Sequence, residues 1–187
     1  MSKTALKKYL KTLTKEQVIE FIIEMYDNNK VARTYLEHFL SPLEQGDLLL
    51  EKYKQVIKKE FNIENPMLAK CSFSTCRKLI SKFASLKPSE ELLADLMLTL
   101  PESACEFTYA YGDMSEQFYN SAVNNFIRAL AFMRKDELLE KFKIRCTKCV
   151  ECASVCGYGF GDEMSELFYN HYGENAKFTN KYNEKYE

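Results

Sequence analysis

Gly112-Asp113-Met114-Ser115-Glu116-Gln117-Phe118-Tyr119-Asn120 returns later in the chain as Gly161-Asp162-Glu163-Met164-Ser165-Glu166-Leu167-Phe168-Tyr169-Asn170. The core Met-Ser-Glu-x-Phe-Tyr-Asn matches at six of seven positions, offset by 50 residues. In both copies a glycine can end one helix while Asp or Ser caps the next. A helix pair recurring near this period is the signature of a helical solenoid of the HEAT type. The competing account is chance similarity between two helix starts. The expected fold is therefore all-α: stacked antiparallel helical hairpins in a HEAT-like α-α superhelix. It forms a single helical domain over 1–187, with repeated helix pairs at about 88–134 and 136–173.

Composition agrees with helix. Charged residues make up 28% and apolar ones 46%, and Gly and Pro number only six and four. That is too few for the many turns of an all-β domain. The first thirteen residues, Met1 to Leu13, lack the apolar core of a signal peptide. No later run reaches the length of a membrane span, so no membrane partner is expected. Seven cysteines, an odd count, read as reduced thiols of a cytoplasmic protein. Residues 1–87 carry 16 Lys/Arg against 10 Asp/Glu, and residues 88–187 carry 10 against 17. The basic half could face an anionic partner, although solvated helix faces explain the same charges.

Local signals mark the helix ends. Thr14 with Gln17 forms a capping box ahead of Val18, Ile19, Ile22, Met25 and Tyr26 at helical spacing. Ser41-Pro42 opens a helix that runs towards Phe61 with Leu49, Tyr53, Val56 and Ile57 inward. Asn65-Pro66 breaks the pattern, and Ser72 or Ser74 caps the next helix. After the boundary at Pro88-Ser89, Leu92, Leu93, Leu96, Met97 and Leu100 form an apolar stripe, which Pro101 is expected to kink or divide.

Cys146, Cys149, Cys152 and Cys156 are spaced C-x2-C-x2-C-x3-C, the run that ligates iron–sulfur clusters in bacterial ferredoxins. Cys71, Cys76 and Cys105 could supply a remote ligand. Gly157, however, stands where ferredoxins place proline. The segment from Asp136 to Cys156 also reads as one helix, with Asp136 as N-cap and Gly157 just past its end. On that helix Leu138, Leu139, Phe142, Cys146, Cys149, Ala153 and Cys156 share one face. Free cysteine behaves as a small buried hydrophobe, so the string needs no ligand. In a straight helix Cys146 and Cys156 lie about 15 Å apart along the axis, too far for one metal centre. Buried helical cysteines are the favoured reading and no metal is expected. A small metal or iron–sulfur protein on Cys146, Cys149, Cys152 and Cys156 is the alternative.

Other chemistry is thin. His38 and His171 lack a nearby nucleophile, and no phosphate-binding glycine loop, H-E-x-x-H or G-x-S-x-G occurs. No catalytic residue and no cofactor are expected. The lysines Lys3, Lys7, Lys8, Lys11 and Lys15 could touch phosphates, but nucleic acid is the least favoured partner.

The chain resembles a bacterial all-helical family of unknown function. The resemblance rests on Leu6-Lys7-Lys8, Leu13-Thr14-Lys15-Glu16-Gln17 and Phe39-Leu40-Ser41-Pro42. It continues through Pro88-Ser89-Glu90-Glu91-Leu92-Leu93-Ala94-Asp95-Leu96-Met97, Glu106-Phe107-Thr108, Tyr111-Gly112-Asp113 and Phe118-Tyr119-Asn120. It implies an all-helical fold with no assigned activity. The expected function is that of a non-enzymatic helical-repeat interaction protein with a protein or peptide partner.

Overall fold

The computed structural model of the chain describes residues 2–40 and 42–173, without the side chains of 38–45. Ser41, expected as a cap, and the side chain of His38 lie outside the described residues. These contain nine α-helices and a 3-10 turn, and no strand is found among them. None of their helices is long and apolar enough to cross a membrane. The chain divides into two compact units at Gly46/Asp47.

The first unit holds α1 (Lys3–Leu10), α2 (Lys15–Asn28) and α3 (Lys30–Leu40). The capping box forms as read: Gln17 N–H donates to Thr14 Oγ1, and Thr14 N–H donates back to Gln17 Oε1 at 2.9 Å. Asn29 turns the chain into α3, its side-chain oxygen accepting from the N–H groups of Val31 and Ala32. The Arg33 guanidinium lies over the Tyr26 ring at 4.9 Å, and the Tyr26 hydroxyl donates to Glu37. Nothing on α1 or α2 is buried, and Ile19, Ile22 and Met25 face solvent.

The second unit begins within α4 (Pro42–Phe61), which buries Ile57 and Phe61 completely. Val56, expected inward, is exposed. The Asn65-Pro66 break becomes the 3-10 turn Pro66–Leu68, and Ser72 rather than Ser74 caps α5 (Phe73–Ser85). Next comes α6 (Glu90–Tyr111), capped by Ser89. It stays one α-helix through Pro101, which is itself buried, where the sequence suggested a kink or division. The missing proline N–H costs one intrahelical bond, while packing against α5, α7 and α8 holds both halves in place. A helix with neighbours on several sides needs apolar residues on several faces. Leu96, Leu98, Leu100, Ala104 and Cys105 are accordingly all fully buried.

The remaining helices are α7 (Glu116–Lys135), α8 (Leu139–Ala153) and α9 (Phe160–Tyr172). Side-chain contacts orient them. Thr108 near the end of α6 meets Tyr119 near the start of α7 at 3.0 Å, so those two run antiparallel. The Tyr172 hydroxyl at the end of α9 donates to the Leu139 carbonyl at the start of α8, so that pair is antiparallel too. Glu91 pairs with Lys141 and Glu106 with Lys148, which makes α6 and α8 parallel. Tyr119 stacks on Phe160 at 4.6 Å, joining the starts of α7 and α9. Between α4, α5 and α7 an aromatic cluster closes the core, with Phe61–Phe73 at 5.4 Å and Phe73–Phe118 at 5.2 Å, both edge-to-face.

The two copies of the sequence repeat begin their helices differently. Ser115 is the N-cap of α7 and accepts from Phe118 N–H. Ser165 instead lies inside α9 and donates back to the Gly161 carbonyl at 2.7 Å. The cause is local: Tyr158 and Gly159 take left-handed φ values of 57° and 71°, so α9 starts before the repeated segment. Gly112 ends α6 at φ 90°, whereas Gly161 sits in the first turn of α9. Phe118 and Phe168 are nevertheless both buried.

Candidate functional site

The layer between α6 and α8 holds nearly all of the second unit's polar chemistry. On α6, Glu91, Asp95, Glu102 and Glu106 recur at helical spacing along one edge, and α8 answers with Lys141, Arg145 and Lys148. Arg145 is the hub. Its Nε and Nη2 donate to the two Glu102 oxygens at 2.8 and 2.5 Å, and its Nη1 donates to Asp95 at 2.7 Å. Asp95 also receives Lys54 of α4 at 3.0 Å. Burial works against the Arg145 charge, but the hydrogen bonds and charges of Glu102 and Asp95 outweigh it and hold the guanidinium protonated more firmly than usual. Sequence reading missed this network, because its partners lie 43 and 50 residues apart.

The cysteines lie inside this layer and beside it. Cys146 and Cys149 are buried on α8, as expected from their stripe, together with Phe142, Ala153 and the unanticipated Val150. The helix is shorter than expected. Asp136 ends α7 instead of capping α8, and Cys156 falls beyond Ala153, half-buried. Glu137, with φ at 58°, reverses the chain between them. Gly157 does not take the left-handed turn. Its N–H donates to Asp113, and a Cβ there would sit 3.0 Å from that carboxylate.

Each thiol faces a different neighbour. Cys149 contacts Cys105 of α6, and that hydrogen bond, followed by burial, holds its pKa well above the ordinary thiol value. Burial pushes Cys146 up to about 12, partly offset by its hydrogen bond with Tyr172 of α9. Cys152 is raised to about 11, again mainly by burial. Cys156 donates to the Cys152 carbonyl and touches Thr108. At neutral pH all four are therefore held as thiols. Among the described residues, no three His, Cys, Asp or Glu side chains converge as a metal site requires. His171 is engaged with the Leu167 carbonyl of its own helix.

The loops at one end of the layer are tied together. The Tyr119 hydroxyl donates to Asp113 Oδ1 and accepts from Met114 N–H, both at 3.0 Å, and the same carboxylate oxygen receives Gly157 N–H at 2.8 Å. The α6–α7 loop thereby fixes the α8–α9 loop. Thr108, Asp113 and Tyr119, all within the segments that carry the family resemblance, meet at this point.

Alongside runs a cleft of about 410 Å³. It is lined by the apolar Ile63, Tyr109, Ala110 and Cys152 and by the charged Glu106, Lys148 and Glu151. The two parallel helices each contribute residues at i, i+3 and i+4, so neighbouring side chains of both project into one groove. The Tyr111 hydroxyl donates to the Ile63 carbonyl and holds the loop that closes one end. The groove thus combines apolar surface with three charged groups.

No match is found among curated proteins. None is found among solved structures either. A family model does match, over residues 1–160, which span α1 to α8 and reach the first residue of α9. The chain belongs to DUF6155, a family of unknown function.

Proposed function

We propose that this protein is a non-enzymatic interaction protein that holds an apolar side chain of a protein or peptide partner in the α6–α8 cleft. The observation that carries the reading is the cleft itself, a largely apolar groove between two parallel helices that Glu106, Lys148 and Glu151 also line. The helix relations support it: α6–α7 and α8–α9 are antiparallel hairpins laid side by side, with like helices parallel. That is the local arrangement from which a HEAT-like superhelical array is built. The reading places the protein in a bacterial cytoplasm, on the strength of its family resemblance and its seven free thiols. The competing reading, a metal centre on Cys146, Cys149, Cys152 and Cys156, requires α8 to unwind and four thiols to leave separate neighbours.

Lys148 is already engaged by Glu106 at 2.6 Å, which leaves Glu151 to answer a basic group beside the apolar anchor. Panning a random peptide library against the full chain and against Ala110→Trp tests this. Ala110 is exposed, so the indole fills the cleft without disturbing the core. Peptides pairing an apolar with a basic residue should be enriched on the wild type and lost on the variant. Equal enrichment on both, or none on either, would refute the cleft as the binding site.

A further inference from the structure

The first unit carries a surface that the cleft does not use. At about 100° per residue, Ala5, Leu6, Tyr9 and Leu10 of α1 occupy one continuous arc of roughly 140°. Lys3, Thr4, Lys7, Lys8 and Lys11 take the other side. Lys15 follows at the start of α2, and no acidic residue precedes Glu16. The apolar arc is partly open: Leu6 is 36% and Tyr9 54% exposed, Ala5 is exposed, Leu10 is half-buried, and no residue of α1 is buried. Among the described residues these five lysines make no ion pair. On α2, Ile19, Ile22 and Ile23 are exposed as well.

We propose that α1 docks this protein on an anionic lipid bilayer, with Leu6 and Tyr9 in the headgroup–acyl boundary and the lysines among the lipid phosphates. A helix with an apolar face and a lysine-rich face lies in the membrane plane, where both faces are satisfied at once. Nucleic acid would satisfy only the lysines and leave Leu6 and Tyr9 in water, so these exposed apolar side chains favour lipid. The contact is peripheral and needs no spanning helix. A single short helix gives a weak, reversible association, with each lysine near the surface worth roughly fivefold in partition. This inference does not depend on the cleft, which lies in the other unit.

The test uses the full chain. It is sedimented with vesicles of phosphatidylcholine alone and of phosphatidylcholine with one-third phosphatidylserine, and titrated in parallel with double-stranded DNA. Partition into the anionic vesicles only, weakening as salt rises, is the expected result. Lys7→Gln with Lys11→Gln should reduce that partition roughly 25-fold. Tyr9→Ser should weaken it markedly while leaving the melting temperature little changed, since that ring is already exposed. The proposal is overturned if the protein does not partition into anionic vesicles. It is equally overturned if the serine variant binds as well as wild type, or if DNA binds more tightly than the vesicles do.

Discussion

Replacing Arg145 by methionine keeps the bulk of the side chain and removes its charge and donors. The cost follows from what is left behind. Asp95, 23% exposed, retains Lys54 at 3.0 Å, so it remains paired. Glu102, 16% exposed, loses both of its hydrogen bonds to Arg145. A hydrogen bond to a charged group contributes about 1.5–3 kcal/mol, and an orphaned buried charge costs more. Partial solvent access discounts this, which puts Arg145→Met at about 2–3 kcal/mol. In a Glu102→Gln background the same change should cost only about 1 kcal/mol, because no charge is then orphaned. In an Asp95→Asn background it should cost nearly the full amount. Urea unfolding followed by far-ultraviolet circular dichroism reads all three. If Asp95→Asn relieves the loss and Glu102→Gln does not, the placement of the hub is wrong.

Other expectations come from the same layer. Cys149→Ala removes one buried sulfur and should cost on the order of 1 kcal/mol, whereas Cys149→Asp buries a carboxyl without a partner and should cost at least 3; thermal melts separate the two. Cys76 and Cys146 are raised to about 12 and Cys152 to about 11, above the ordinary thiol value of about 8.5. The folded protein keeps these protons after the unfolded chain has released them. Stability is therefore full below about pH 8 and falls as pH rises towards 11, by up to about 1.4 kcal/mol per pH unit for each of the buried Cys76 and Cys146 and by less for the half-exposed Cys152. Urea midpoints measured from pH 7 to 10.5 should show the decline, and Cys146→Ala should make it shallower. A Cβ at Gly161 would meet the Ser154 backbone at 2.8 Å, where no flexible side chain can yield. Gly161→Ala should consequently cost about 2 kcal/mol or more, as differential melting would show.

What was legible in the sequence was local. The Thr14–Gln17 box, the Ser115 cap and the boundaries at Asn65-Pro66 and Pro88-Ser89 each act through atoms within a few residues, and all appear where their spacing places them. The cysteine stripe was legible for the same reason, since helical periodicity brings Cys146 and Cys149 to the face that holds Phe142. The α7–α8 and α8–α9 junctions were not. Asp136 looked like an N-cap, but left-handed Glu137 moved the helix start past it, and left-handed Tyr158 and Gly159 advanced the start of α9. The Arg145 hub and the cleft were invisible because they exist only once α6 and α8 lie parallel. The exposure of Ile19 and Ile22 was equally hidden, because periodicity states that a helix has an apolar face and not what covers it.

The central claim is that the cysteine string forms packed surface of α8 and the turn after it, and holds no metal. Zinc and iron analysis of the anaerobically purified full chain, with its visible absorbance spectrum, tests that claim most directly. The account predicts substoichiometric metal, no absorbance from an iron–sulfur centre, and the same result for Cys149→Ala. Stoichiometric zinc or iron that disappears in Cys149→Ala, with loss of helix around α8, would contradict it.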